Sequence, residues 1–314
     1  MRMQQIAALA AMALLPAALI QPATAQPAPA RPAITGISHL SVYSADAAKS
    51  ERFYVHDLGA QKRDDPENAA GARYYFSPLQ FIEVLPLPAG VTSINRLDHV
   101  AFNTANAGQL RLYLAAHGVA VPERVESASD GSRWFEVLDP EGNKVQFVQP
   151  PAHPLPVPAN ALSTHIIHMG ILVHFAEAEN PFYRGLLGFR PYWHGGHTDN
   201  TTDWISQQVP DGADWIEYMM VGGPETRGIP ASVTQNDLGV MDHFSLGVVN
   251  IEKAVNLLYA GDRISPKHSP AQLGRDGKWQ FNMYDPDGTR AELMEFQASV
   301  KACCSQPTAA DPVK

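Results

Sequence analysis

Cysteine is almost absent from the chain: the only two, Cys303 and Cys304, are adjacent and lie near its end. A framework of disulfides and a thiolate-ligated zinc site are therefore excluded. Neighbouring α-carbons sit about 3.8 Å apart, closer than the usual minimum of roughly 4.4 Å for a bridged pair, so two exposed thiols are expected there rather than a bond. Positive charge is also scarce. Lys and Arg number 23 against 32 Asp and Glu, a formal charge of -9, and no basic run occurs anywhere. Without a concentrated positive face, a nucleic-acid partner is excluded. No apolar run reaches the roughly 20 residues that span a bilayer.

The longest such run, Ile6 to Ile20, is interrupted only by Pro16, follows Arg2 and precedes the small residues Ala23-Thr24-Ala25. This pattern reads as a signal peptide over residues 1–25, cut before Gln26. The expected product is periplasmic or secreted, with no membrane partner after cleavage and a formal charge shifted from -9 to -10 by the loss of Arg2. Its 314 residues, 45% hydrophobic and with 26 prolines, suggest about two domains. Residues 26–33, rich in Pro and Ala, read as a linker, and the polar residues 299–314 read as a tail.

Internal repetition organises everything between. A strand-like segment with a histidine occurs four times, at His39, His99, His168 and His243, with spacings of 60, 69 and 75 residues. Fourteen residues after His39 stands Phe53-Tyr54, followed by Leu58-Gly59; fourteen after His168 stands Phe182-Tyr183, followed by Leu187-Gly188. Forty residues after His99 comes Asp139-Pro140-Glu141-Gly142, and 42 after His243 comes Asp285-Pro286-Asp287-Gly288. Helix-like spacing over Ala45 to Leu58 and Ala176 to Leu187 ends at Gly, and the Asp-Pro-acid-Gly tetrads are turns leading into short strands. Each unit reads as strand, helix and three strands. Residues 151–160 contain a proline-rich linker that separates the halves, 34–150 and 161–298.

These motifs resemble the vicinal oxygen chelate superfamily, which includes glyoxalase I, the bleomycin-resistance proteins, methylmalonyl-CoA epimerase and the extradiol dioxygenases. The resemblance covers nearly all of the chain after residue 33. It implies an α+β fold of four βαβββ units in two glyoxalase-like domains, each with a curved, cup-like mixed sheet. It also implies metal ligands on the first and last strands of each unit. Aligning the four units places Glu83, Gln146, Glu217 and Glu292 at the last-strand positions.

An acid flanked by apolar residues on a strand faces one side of the sheet, and burying it inside a cup is costly without a cation. The C-terminal half has a complete set in His168, Glu217, His243 and Glu292; the N-terminal half has His39, Glu83 and His99, with the weaker amide ligand Gln146 in the fourth place. Two His with acids suit zinc, nickel, iron or manganese as a divalent cofactor. Consecutive pairing of units gives the first of these sets. Pairing the first unit with the fourth gives His39, Glu83, His243 and Glu292 instead. Weaker pocket candidates are His174, which shares the His168 face, the loop residues His194 and His197, and Asn282.

A metal so held would bind two neighbouring oxygens of a small-molecule substrate and stabilise an enolate. By resemblance to the glyoxalase and epimerase branches, Glu217 or Glu292 is the catalytic base. The main expectation is an exported isomerase, epimerase or lyase acting on an α-hydroxycarbonyl or polyphenolic compound, because four protein ligands leave few positions open for oxygen. Little glutathione is available in an oxidising compartment, which argues against glyoxalase I itself.

Two alternatives stand beside that reading. An extradiol dioxygenase would use His168, His243 and Glu292, although Asn282 replaces that branch's usual Tyr and His268 stands thirteen residues before Phe281, off the spacing of its second-sphere His. A non-catalytic, bleomycin-resistance-like binding protein would stack ligands on Trp193, Trp204, Trp215 and Trp279. The sequence leaves open whether copies associate as a homo-oligomer.

Overall fold

The computed structural model describes residues 29–92, 95–221 and 243–314. The proposed signal segment 1–25 and the start of the fourth repeat, Met241-Asp242, lie outside the described residues. No helix among the described residues is long and apolar enough to cross a membrane.

Alternating apolar residues produce two eight-stranded sheets. In spatial order the first contains Gln61–Asp64, Ala72–Ser77, Gln80–Pro86, Ile34–Ser44, Leu97–Thr104, Lys144–Gln149, Arg133–Leu138 and Glu126–Ser127, numbered β2, β3, β4, β1, β5, β8, β7 and β6. The second repeats that order with Arg190–Gly195, Trp204–Gln208, Trp215–Met220, Ile166–Val173, His243–Val248, Arg290–Glu295, Trp279–Tyr284 and Gln272–Leu273, numbered β10, β11, β12, β9, β13, β16, β15 and β14. Each sheet curls into a half-barrel. Its two central strands, β1 with β5 and β9 with β13, run antiparallel and come from consecutive units. This topology excludes the mixed set of His39 and Glu83 with His243 and Glu292.

The repeated motifs nevertheless join the units crosswise. The stretch expected as one α-helix over Ala45 to Leu58 is α-helical only over Ala47–Glu51. It then widens into a π-helix over Arg52–Asp57, where Leu58 N donates to Phe53 O at 2.9 Å. Ala176–Asn180 and Pro181–Leu186 repeat the arrangement, with Leu187 N on Phe182 O at 2.9 Å. The wider turn sends each tyrosine of the Phe-Tyr pairs inward. Tyr54 donates to Asp285 Oδ2 at 3.0 Å, and Tyr183 donates to Asp139 Oδ2 at 3.1 Å. First unit therefore meets fourth, and third meets second.

The acid two residues further on accepts from the backbone that leads into the partner unit's helix. Asp287 accepts from Ala45 N at 3.0 Å, and Glu141 accepts from Phe175 N at 2.7 Å. One apolar core runs continuously between the sheets, with Phe102 against Phe189 and Phe76 against Phe244.

The end of the chain departs from expectation. Residues 299–314 pack on the second half instead of trailing. Ala302 and Ala309 join a cluster with Tyr192, Trp193 and Trp215, and Thr308 N donates to Tyr192 O at 3.0 Å. Ala side chains too small to show as an apolar periodicity carry this packing. Cys303 and Cys304 are joined by a disulfide across a Cα separation of 3.8 Å, correcting the expectation of free thiols. The Cys303 backbone bonds Arg275 O and Trp193 Nε1, which fixes this segment where the two sulfurs meet.

Candidate metal centre

The C-terminal candidates come from the four central strands of the second sheet, β12, β9, β13 and β16. Their neighbours Ile216, Met169, Phe244 and Leu293 enter the core, so strand alternation turns His168, Glu217, His243 and Glu292 to the cup side. His168 Nε2 lies 3.0 Å from His243 Nε2 and 3.1 Å from Glu292 Oε2. The ligand atoms of these three buried residues all lie within 4.8 Å of one another. Glu217 stands beside that trio, 3.6 Å from His243 Nε2, and is not part of it. Trp215 stacks on His168 at a ring separation of 4.6 Å, holding the imidazole plane.

A glycine makes the convergence sterically feasible. Gly170 pairs with Glu217 on one side and His243 on the other. A β-carbon on it would stand 2.0 Å from Cε1 of His243, so the imidazole occupies the space a side chain would need.

The two acids differ electrostatically. Burial, reinforced by the charge of Glu292, pushes the Glu217 carboxyl up to about 8. Burial also works to raise Glu292, but the adjacent His168 and the charge of Arg290 outweigh it and hold this carboxyl below its ordinary value. Glu292 Oε2 is buried and receives no aligned hydrogen bond, a costly state for a carboxylate oxygen that coordination to a cation would relieve. Two imidazoles and one carboxylate, with the remaining directions open to a cavity, fit a divalent metal of the nickel, zinc, manganese or iron type. That cavity has a volume of about 350 Å³ and is lined by His197, Trp204, Trp215, Asn282 and Arg290 among others.

His39, Glu83 and His99 of the first half also converge within 4.8 Å, with His39 Nε2 2.8 Å from His99 Nε2. Here, however, the compensating charge belongs to the protein. Arg73, directly opposite Glu83 on β3, is buried beside it at 3.8 Å and contacts Glu67 at 2.6 Å and Asp65 at 3.1 Å. Gln146 donates to Glu67 at 3.1 Å. The corresponding place opposite Glu217 is held by neutral Ser206. His99 is oriented by Asp98, 2.7 Å from its Nδ1. Burial, His99 and Arg73 together push the His39 imidazole well below its usual range.

Among the weaker candidates, His197 and Asn282 line the second cup. His174 and His194 do not. His174 follows β9, where its backbone and Nδ1 meet Glu141 at the junction between the halves. The strand ends before its alternation can carry His174 into the cup. His194 is exposed on edge strand β10, with its backbone N on Ser305 Oγ at 2.8 Å. His268 does not line the cavity; it bonds Ser265 O and packs beside Phe281. Trp279 is likewise away from the cavity.

The sequence reading missed Arg73, Gly170 and Arg290. Gly170 was recoverable, since it lies two residues after His168 on the same strand face. Arg73 and Arg290 become visible only through strand register.

The model of the family described as the Glyoxalase/Bleomycin resistance protein/Dioxygenase superfamily matches residues 36–147 and 165–293. No curated protein sequence matches the chain. Among solved structures, a catechol 2,3-dioxygenase is 16% identical with a TM-score of 0.61, covering 90% of this chain and 94% of its own. Homoprotocatechuate 2,3-dioxygenase from Arthrobacter globiformis is 17% identical with a TM-score of 0.60, over 86% of this chain and 82% of its own. The Brevibacterium fuscum enzyme in complex with 3,4-dihydroxyphenylacetate is 18% identical with a TM-score of 0.60, over 91% and 87%. At these identities the likeness is one of fold. With both halves matched by the family model, the chain belongs to the Glyoxalase/Bleomycin resistance protein/Dioxygenase superfamily.

Proposed function

We propose that this protein is a metal-dependent dioxygenase of the extradiol type, cleaving the ring of a small catecholic substrate with dioxygen as co-substrate. The observation that carries this reading is the trio itself: His168, His243 and Glu292 converge, while Glu217 stands aside. The isomerase expectation depended on four protein ligands closing the coordination sphere. Three ligands leave room for two substrate oxygens and a further small molecule, the pattern of two His and one carboxylate that suits iron or manganese oxygen chemistry. The solved structures of similar fold include dioxygenases acting on catechols, which supports the same choice.

A divalent ion held by the trio would supply two adjacent sites for the substrate's vicinal oxygens and lower the cost of their ionisation. The chain's own residues do the rest. Glu217, next to His243 and facing the cavity, is placed to exchange a proton with a substrate oxygen. Trp204 and Trp215 wall the cavity with flat apolar surface, suited to an aromatic ring and to exclusion of water. In the first half Arg73 already supplies a cation beside Glu83, so we assign the metal to the second cup alone.

The test is oxygen consumption by protein loaded anaerobically with ferrous iron or manganese, assayed with catechols for uptake and for the absorbance of a ring-opened product. Uptake abolished by His243→Ala supports the reading. Its absence across catechols, together with deuterium exchange from heavy water into an α-hydroxycarbonyl, would return the assignment to the isomerase branch.

A further inference from the structure

A half-barrel leaves its two edge strands, here β10 and β14, unpaired with each other. The segment that carries Cys303 and Cys304 ties those edges together. Cys303 N donates to Arg275 O at 2.8 Å in the turn after β14, and Cys303 O accepts from Trp193 Nε1 of β10 at 3.2 Å. Two residues on, Ser305 Oγ donates to His194 O and accepts from His194 N, each at 2.8 Å. Trp193, Arg275 and, further along, Pro307 line the cavity beside the proposed metal centre. The tie between the edges is therefore also part of the cavity wall.

The disulfide is placed to fasten that tie. Cys304 is a non-glycine residue with a φ of 70°, in the left-handed region that is unfavourable for an L-residue. The ring closed by its bond to the neighbouring Cys303 holds it there. Cys304 is exposed and Cys303 half-buried, so a dissolved thiol reaches the bond. The Arg275 guanidinium, 3.6 Å from Cys304 Sγ, favours that sulfur as the departing thiolate.

We propose that Cys303 and Cys304 form a thiol–disulfide exchange site, and that its opening by a dithiol loosens the tie across the second cup. One thiolate of the dithiol bonds to Cys303 Sγ and displaces Cys304 Sγ as a thiolate. The second thiol of the reagent then displaces Cys303 Sγ, and the reagent leaves as its own cyclic disulfide. The dithiol loses two electrons, the protein disulfide gains them, and two protons end on Cys303 and Cys304. Freed from the ring, Cys304 relaxes to negative φ, which redirects the chain at Ser305 and Pro307. The end of the chain stays in place, because Lys278 Nζ holds Asp311 at 2.7 Å and His165 Nδ1 holds Val313 O at 2.7 Å. This site governs access to the cup and is independent of the ring-cleavage reading.

The test compares air-oxidised, dithiothreitol-reduced and reoxidised protein, with the reagent removed by desalting under argon. Thiol titration is expected to find both cysteines blocked in the oxidised form and free in the reduced one. Amide hydrogen exchange over residues 303–308 should rise about tenfold on reduction, the scale of releasing one left-handed residue. Residues 309–314 should stay within about twofold. Acrylamide quenching of tryptophan fluorescence reads access to the cavity, whose walls include Trp193, Trp204 and Trp215; its slope should rise about twofold as the wall loosens. Reoxidation should reverse both changes. The protein carrying Cys303→Ser with Cys304→Ser should behave as the reduced form whether or not dithiothreitol is added. Free thiols in the oxidised protein, exchange over 303–308 that ignores reduction, loosening that extends equally over 309–314, or an unchanged quenching slope overturns the proposal. If the double variant fails to fold, reduction and reoxidation of the wild type decide it.

Discussion

Replacing Gly170 by alanine tests whether the space beside the metal ligands is as tightly used as the geometry requires. The new β-carbon would stand 2.0 Å from His243 Cε1, against the 3.4 Å at which ordinary contacts begin, a shortfall of about 1.4 Å. The strand cannot withdraw easily, because Gly170 is paired with Glu217 and His243 on its two sides. The imidazole must therefore move. Metal–ligand distances tolerate only about 0.2 Å, so His243 would leave the coordination sphere.

Disturbing the support of a ligand typically costs 10–100-fold in metal affinity, and outright loss of the ligand should reach at least the upper end of that range. Overpacking should also cost about 1–3 kcal/mol of stability. Competition with a chromophoric chelator reads the first quantity and urea unfolding of the metal-free protein the second. An affinity within twofold of wild type, in a protein that still folds, would show that His243 is not a ligand or that the sheet yields freely, and would refute the reasoning.

Two further outcomes concern buried acids away from the proposed metal. Arg73→Met leaves Asp65, Glu67 and Glu83 buried without their cation and is expected to cost about 3–5 kcal/mol in urea unfolding; a loss under 1 kcal/mol would mean that these acids are protonated or solvated. Glu179 gives a pH dependence. Burial, then the charge of Asp139, pushes its carboxyl up to about 8 from an ordinary value of 4.5. The folded state then binds a proton that the unfolded state releases, so stability should fall as pH rises from about 4.5 to 8. The urea midpoint should drop across that window and flatten in Glu179→Gln; an unchanged slope in the variant would exclude Glu179 as the source.

Much of the fold was legible because repetition is a pattern that needs no structure. The Phe-Tyr pairs and the Asp-Pro-acid-Gly turns recur, and the structure shows why they recur together: Tyr54 bonds Asp285 and Tyr183 bonds Asp139. The alternation around His168, His243 and Glu292 likewise fixed which side chains share a face. Which units share a sheet was not legible, because both pairings satisfy the same local pattern. Nor was the separation of Glu217 from the trio. Arg73 could not be distinguished from a solvated strand residue, since only its register opposite Glu83 brings it inside. The packing of residues 299–314 escaped for a related reason: it depends on backbone bonds and on Ala302 and Ala309, which carry no periodic signal.

Metal content of the purified protein tests the central claim most directly, measured by elemental analysis after reconstitution and removal of loosely bound ions. One ion per chain is expected, lost in His243→Ala and in Glu292→Ala and retained in His39→Ala. An ion that survives both C-terminal substitutions, or that disappears with His39, would contradict the assignment of the metal to His168, His243 and Glu292.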